Sequence, residues 1–179
     1  LFKIKYEIFE DYKEELSEIG LSTFDKEYNQ VYGPFTIIVG EHEFIPYPSD
    51  DLPVSAKEIF SELILSHFEL LNEVDRLLNN YDYVALKYIE DHWSWLEFVK
   101  VDEGLIKISE LEYEIIELDS LLCINKEFLS GAKYGAIREI ITPKADLHHE
   151  IKKSTKMFIE EIRNVNPQLL NSKYFSKIT

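Results

Sequence analysis

The stretch SAKEIFSELILSHFELLNEVDRLLNN, residues 55–80, constrains this chain more than any other. Apolar residues fall at Ala56, Ile59, Phe60, Leu63, Ile64, Phe68, Leu70, Leu71, Val74, Leu77 and Leu78. That is helical spacing with a wide apolar face. Ser55 and Glu58 have the arrangement of a capping box, and Val54 and Ile59 that of a hydrophobic staple. Asp50 and Asp51 add negative charge just before the positive helix end. Asn79 and Asn80 tolerate the left-handed backbone of a stop. The spacing predicts one long helix from Ser55 to Asn80, broad enough in its apolar face to lie across a sheet. His67 sits among Phe60, Ile64 and Leu71. With no second histidine four residues away it reads as a core histidine rather than a metal ligand.

The remaining chain reads mostly as strands. Phe2 to Phe9 alternates, with Phe2, Ile4, Tyr6 and Ile8 on one face. Residues 10–20 read as a short helix or turn. Residues 21–31 stay ambiguous, a strand being one option. FTIIV (35–39), a turn at 40–42 and a return over 43–47 make a hairpin ended by Pro46 and Pro48. Glu41, His42 and Glu43 fall at its tip, where solvated polar residues are the ordinary reading. Further strands are expected at 83–89, 93–101 and 105–109, the last two joined by Asp102-Glu103-Gly104. The 93–101 strand is apolar on both faces, which marks an interior strand. Trp93 and Trp95 either pack at the core and rim or line a ligand pocket. Glu97 shares their face, as a buried carboxylate or at a sheet margin.

Residues 111–118 alternate again, with Leu111, Tyr113 and Ile115 inward and Glu110, Glu112 and Glu114 outward. Residues 120–142 give no clear pattern. After Pro143, a helix is expected over residues 144–166. Leu147, Ile151, Phe158, Ile162 and Val165 form its apolar face. Asn166-Pro167 ends it, and Leu169, Leu170, Tyr174 and Phe175 call for a docked terminal segment. His148 and His149 are adjacent and face different ways on this helix. No repeat, low-complexity tract or linker divides the chain. The expectation is a single α+β domain over residues 1–179, an antiparallel sheet covered on one face by the central and C-terminal helices.

Charge bears on partners. The chain has 34 acidic and 19 basic residues, a net charge of −15. Residues 1–125 hold 28 acidic and 9 basic residues, whereas residues 126–179 hold 6 and 10. Such a surface repels nucleic-acid phosphate and anionic membrane and attracts a basic protein. No run is long and apolar enough to span a bilayer, and no leader pattern follows Leu1. The single cysteine, Cys123, makes no internal disulfide, which suits a reducing cytoplasm. Its apolar neighbours Leu122 and Ile124 speak against a thiolate nucleophile.

Catalytic signatures are not read. The six glycines do not form a phosphate loop. There is no paired-histidine metal helix, CxxC or GxSxG elbow. The alternating acids lack the aspartate-and-glycine loop of a calcium site, so neither a metal nor a cofactor is expected.

Two stretches, WSWLEFVKVDEGLIKISELEYEI (93–115) and IKKSTKMFIEEIRNVNPQLLNSKYF (151–175), give the layout a resemblance to a known class. It resembles small bacterial immunity proteins, the cytosolic antidotes encoded beside polymorphic or contact-dependent toxins. The resemblance implies a non-enzymatic protein that binds and blocks one toxin domain, often a basic nuclease. The carboxylates of Asp102, Glu103, Glu110, Glu112, Glu114 and Glu117 are then the expected face for a basic partner. Two alternatives stand beside it. One is a small-ligand binder or enzyme with a pocket at Trp93, Trp95 and Glu97; the other is an oligomerisation module.

Overall fold

The computed structural model describes residues 1–115 and 119–179. Strand β1 (Phe2–Tyr6) leads into α1 (Glu10–Glu18), a one-turn α2 (Leu21–Thr23) and a π-helical turn (Phe24–Tyr28). Then come β2 (Tyr32–Gly33), β3 (Phe35–Val39), β4 (His42–Glu43), α3 (Val54–Lys57), a 3-10 turn (Glu58–Phe60), β5 (Glu62–Leu63) and α4 (Ile64–Leu77). Strands β6 (Tyr83–Lys87), β7 (Ser94–Lys100), β8 (Leu105–Glu112) and β9 (Leu122–Cys123) follow. A 3-10 turn (Lys126–Leu129) precedes β10 (Lys133–Tyr134), β11 (Ile140–Pro143) and α5 (Lys144–Val165). Two 3-10 turns, Pro167–Asn171 and Lys173–Phe175, close the chain. The fold is α+β with antiparallel sheets and a long C-terminal helix.

The chain clusters into two compact units. The first comprises residues 1–3, 37–44 and 70–150, and the second residues 4–36, 45–69 and 151–179.

The first unit is built on the sheet β10-β8-β7-β6-β9, with β11 also paired to β8. Register follows the sequence alternation. Leu86, Leu96 and Glu110 lie across from one another, as do Val84, Phe98 and Ile108. Successive side chains on a strand alternate between faces. One face therefore carries Val84, Leu86, Leu96, Phe98, Ile106 and Ile108, all buried, and the Phe2 ring meets Phe98 edge-on at 6.4 Å. The opposite face carries Tyr83, Ala85, Lys87, Trp95, Glu97, Val99 and Leu111. It is covered by the segment the sequence left unread: Leu129 and Ala132 pack onto Tyr83, Ala85, Trp95 and Leu111. The central strands are thus apolar on both faces because both faces are covered.

The second unit holds an aromatic core. Phe68 stacks on Phe158 at 4.9 Å and receives Tyr6 and Phe35 edge-on, each at 5.4 Å. Phe158 stacks on Phe175, and Phe175 meets Phe24 in a tilted contact at 5.9 Å, so the terminal 3-10 turn is docked through its aromatic residue. His67 is buried and stacked on Phe35 at 4.6 Å, with Nε2 3.8 Å from the buried Glu62 carboxylate.

The expected helix over 55–80 is corrected by this unit. Helix α3 begins after Pro53 without a side-chain cap, and Ile59, the expected staple, is 82% exposed. The chain turns extended at Ser61 (φ −64°, ψ 130°), and Glu62 and Leu63 pair with Gly33 and Tyr32. Helix α4 starts only at Ile64, and its cap is remote. Gln30 Oε1 accepts from the backbone N–H groups of Leu65 and Ser66, and its amide donates to Ser66 Oγ. A buried glutamine from another segment satisfies the open helix end, which ordinarily falls to a local Ser, Thr, Asp or Asn. Sheet pairing and this cap outweigh the local helical pattern.

Candidate functional site

The first unit's sheet presents two features that bear on function: a pocket on one face and a polar, aromatic edge at one end.

The pocket lies between the sheet and residues 126–134. Its volume is about 530 Å³, and Glu97, Val99, Leu111, Leu129, Ala132 and Tyr134 are among its lining residues. Glu97 is only 8% exposed. The register sets it among Ala85 and Ser109 on its neighbouring strands. Among the described residues no cation pairs with it. Lys107, also in the lining, is turned to Glu139 at 3.3 Å. The Tyr83 hydroxyl is buried nearby and lies close to the Glu97 carboxylate. Burial, then the charge of Glu97, pushes the Tyr83 phenol well above its ordinary value. A second, smaller pocket of about 270 Å³ is lined by Trp95, Cys123 and Phe128 among others. Trp95 itself is fully buried, its indole N–H donating to the Tyr113 carbonyl at 3.2 Å. Of the expected pocket residues, Glu97 and Trp95 therefore line separate cavities, and Trp93 lines neither.

Trp93 instead stands 51% exposed at the sheet's end. Its presentation is fixed by a buried lysine. The Lys87 side chain is 2% exposed, and its Nζ donates to the carbonyls of Tyr88 and Asp91 and to Asp91 Oδ1, at 2.6–2.8 Å. All three ammonium protons are thereby used, which is what a buried lysine requires. Asp91 Oδ1 in turn accepts from the N–H groups of Trp93 and Ser94. Burial alone would raise the Asp91 carboxyl. The Lys87 ammonium and the bonds from Ser94 and Trp93 outweigh that and hold it below its ordinary value. Past β8, the N–H groups of Tyr113 and Ile115 donate to the carbonyls of Trp93 and His92. The 113–115 segment therefore ties down the backbone at His92 and Trp93 through two hydrogen bonds.

The expected acidic face is distributed differently from its sequence order. Asp102 and Glu103 lie in the β7–β8 turn, where Asp102 Oδ1 accepts from Gly104 N–H and Glu103 pairs with Lys100 at 3.1 Å. Glu112 and Glu114 are exposed at the opposite end of β8, about 25 Å away along the strand. That end of β8 runs alongside the Trp93 segment in backbone: Ser94 is in register with Glu112, and Tyr113 N–H donates to the Trp93 carbonyl. Glu110 is committed to structure. Its Oε2 accepts from the Ala136 and Ile137 N–H groups, at 3.2 and 3.4 Å. Any Cβ on Gly135 would meet the Glu110 carboxyl carbon at 2.5 Å. Glu117 lies outside the described residues.

Three features escaped the sequence reading. Lys87 inside an apolar strand run was the available signal for a buried, satisfied cation. The apolar run LLCINKEFL over 121–129 was the signal for a covering segment. Nothing local marked Glu110 as a loop anchor.

Among the described residues no cluster of histidine, cysteine and acidic side chains has the arrangement of a metal site, and no helix is long and apolar enough to cross a membrane. No protein-family model, curated protein or solved structure matches this chain.

Proposed function

We propose that this chain is a non-enzymatic protein-binding module of the immunity kind. It docks on a basic partner, a toxin domain in that reading, through the sheet end that carries Trp93, Glu112 and Glu114. The observation that carries this is the exposure of Trp93 on a segment hydrogen-bonded by Lys87 and Asp91, at the sheet end that also carries the exposed Glu112 and Glu114. Binding energy at interfaces concentrates in a few residues, tryptophan prominent among them, and rigid presentation lowers the ordering cost of association. Surrounding carboxylates speed encounter with a basic protein and select against acidic ones. The net charge of −15 extends that field over the molecule.

Capture from native lysate tests this. The tagged chain is expected to retain one basic protein in stoichiometric amount at low salt and to release it as salt rises. Trp93→Ala combined with Glu112→Lys and Glu114→Lys is expected to abolish retention. Retention that survives all three substitutions moves the contact elsewhere, and capture of no protein at either salt removes the reading.

A further inference from the structure

We propose that the pocket beneath residues 126–134 is a binding site for a small organic cation, an amine or guanidine on an apolar body, with its charged nitrogen on Glu97. Three observations converge. The cavity, about 530 Å³, is of the size that takes small organic ligands. Its walls are largely apolar, from Val99, Leu111, Leu129 and Ala132, with the Tyr134 ring among the lining. At its lining stands Glu97, 8% exposed and without a cation partner among the described residues. A carboxylate taken out of water is costly unless a positive group meets it. Two lysines, Lys107 and Lys126, share the lining, but among the described residues neither forms an ion pair with Glu97: Lys107 is turned to Glu139, and the buried Lys87 of the same sheet face is saturated by Tyr88 and Asp91. A ligand that brings its own positive nitrogen supplies the missing partner, and the buried Tyr83 hydroxyl stands near the same charge. The two carboxylates of the lining, Glu97 and Glu127, share it with two lysines and, among the described residues, form no metal-type cluster, so the donor set is wrong for a metal ion, which takes several oxygen ligands. An apolar ligand alone leaves the carboxylate unmet.

The site is independent of the docking edge, since neither Trp93 nor Glu112 lines it. Nitrogen-15 NMR of the full chain, titrated with phenethylamine and with its neutral counterpart 2-phenylethanol, tests it. The amine is expected to shift the amides of residues 97–99 and 126–134 saturably. The alcohol is expected to bind at least about tenfold more weakly, the difference a charge-assisted hydrogen bond makes. Glu97→Gln is expected to weaken the amine by a similar factor and to leave lysate capture intact. Equal binding of both probes, no saturable shift with the amine at millimolar concentration, or an unchanged amine affinity in Glu97→Gln overturns the proposal. Should the variant fail to fold, the comparison of the two probes on the unmodified chain decides alone.

Discussion

Replacing Lys87 with Met is expected to lower stability by about 3 kcal/mol, roughly 6–12 °C in melting temperature for a chain of this size. The methionine stem fills the volume of the buried lysine stem, so the loss is not one of packing. It comes from removing the cation that meets two carbonyls and the Asp91 carboxylate. Asp91 remains partly buried with its charge met only by N–H groups. The sign of the pH dependence follows. The Asp91 carboxyl is held below its ordinary value of 3.8 in the folded chain. Its contribution is therefore fully present above that value and is lost as pH falls through the lower folded value. Thermal melts of the parent chain are expected to show this acid loss, and those of Lys87→Met to show less of it. Identical acid limbs contradict the assignment. The same substitution frees the 88–93 segment, so Trp93 fluorescence is expected to report a more mobile indole.

Gly33→Ala is expected to cost at least as much, about 3 kcal/mol or more, through overpacking against backbone. A Cβ at this position would overlap the Glu7 carbonyl oxygen and sit 3.0 Å from Ile64 Cδ1. The first is main chain and cannot swing aside. Glu7 N–H also donates to the Pro34 carbonyl, so this segment is tied on both sides of Gly33. Relief requires moving Gly33 away from Glu7, which strains the Glu7–Pro34 hydrogen bond or the β2–β5 pair, where Gly33 faces Glu62. That pair sets where α4 begins. Urea denaturation followed by circular dichroism reads the loss. A variant as stable as the parent would show that this pairing yields without consequence.

The residue pattern carried the periodic parts of this fold well. The hairpins at 35–43 and 94–112, the strand at 83–87 and the helix at 144–165 follow from alternation and from the 3.6-residue spacing. It failed where a distant group decides. The 55–63 stretch has helical spacing, yet Gln30 and the Tyr32–Gly33 pair stop the helix and restart it at Ile64. Neither partner is visible within the stretch itself. The alternation over 110–114 was real, but its reading as one solvated face was not. Glu110, on the same strand face as Ile106 and Ile108, is folded over by residues 135–137, while Glu112 emerges beyond them. Trp93 and Trp95 have equal standing in the sequence. A strand end separates them, one into solvent and one into the core.

For the docking account, the decisive quantity is the association rate with the captured partner, measured over a range of ionic strength for the parent chain and for Glu112→Lys/Glu114→Lys. Steering by these carboxylates predicts that the variant associates about tenfold more slowly at low salt. Its rate should also fall less as salt rises. Equal rates with equal salt dependence would contradict the claim that this end of the sheet meets the partner.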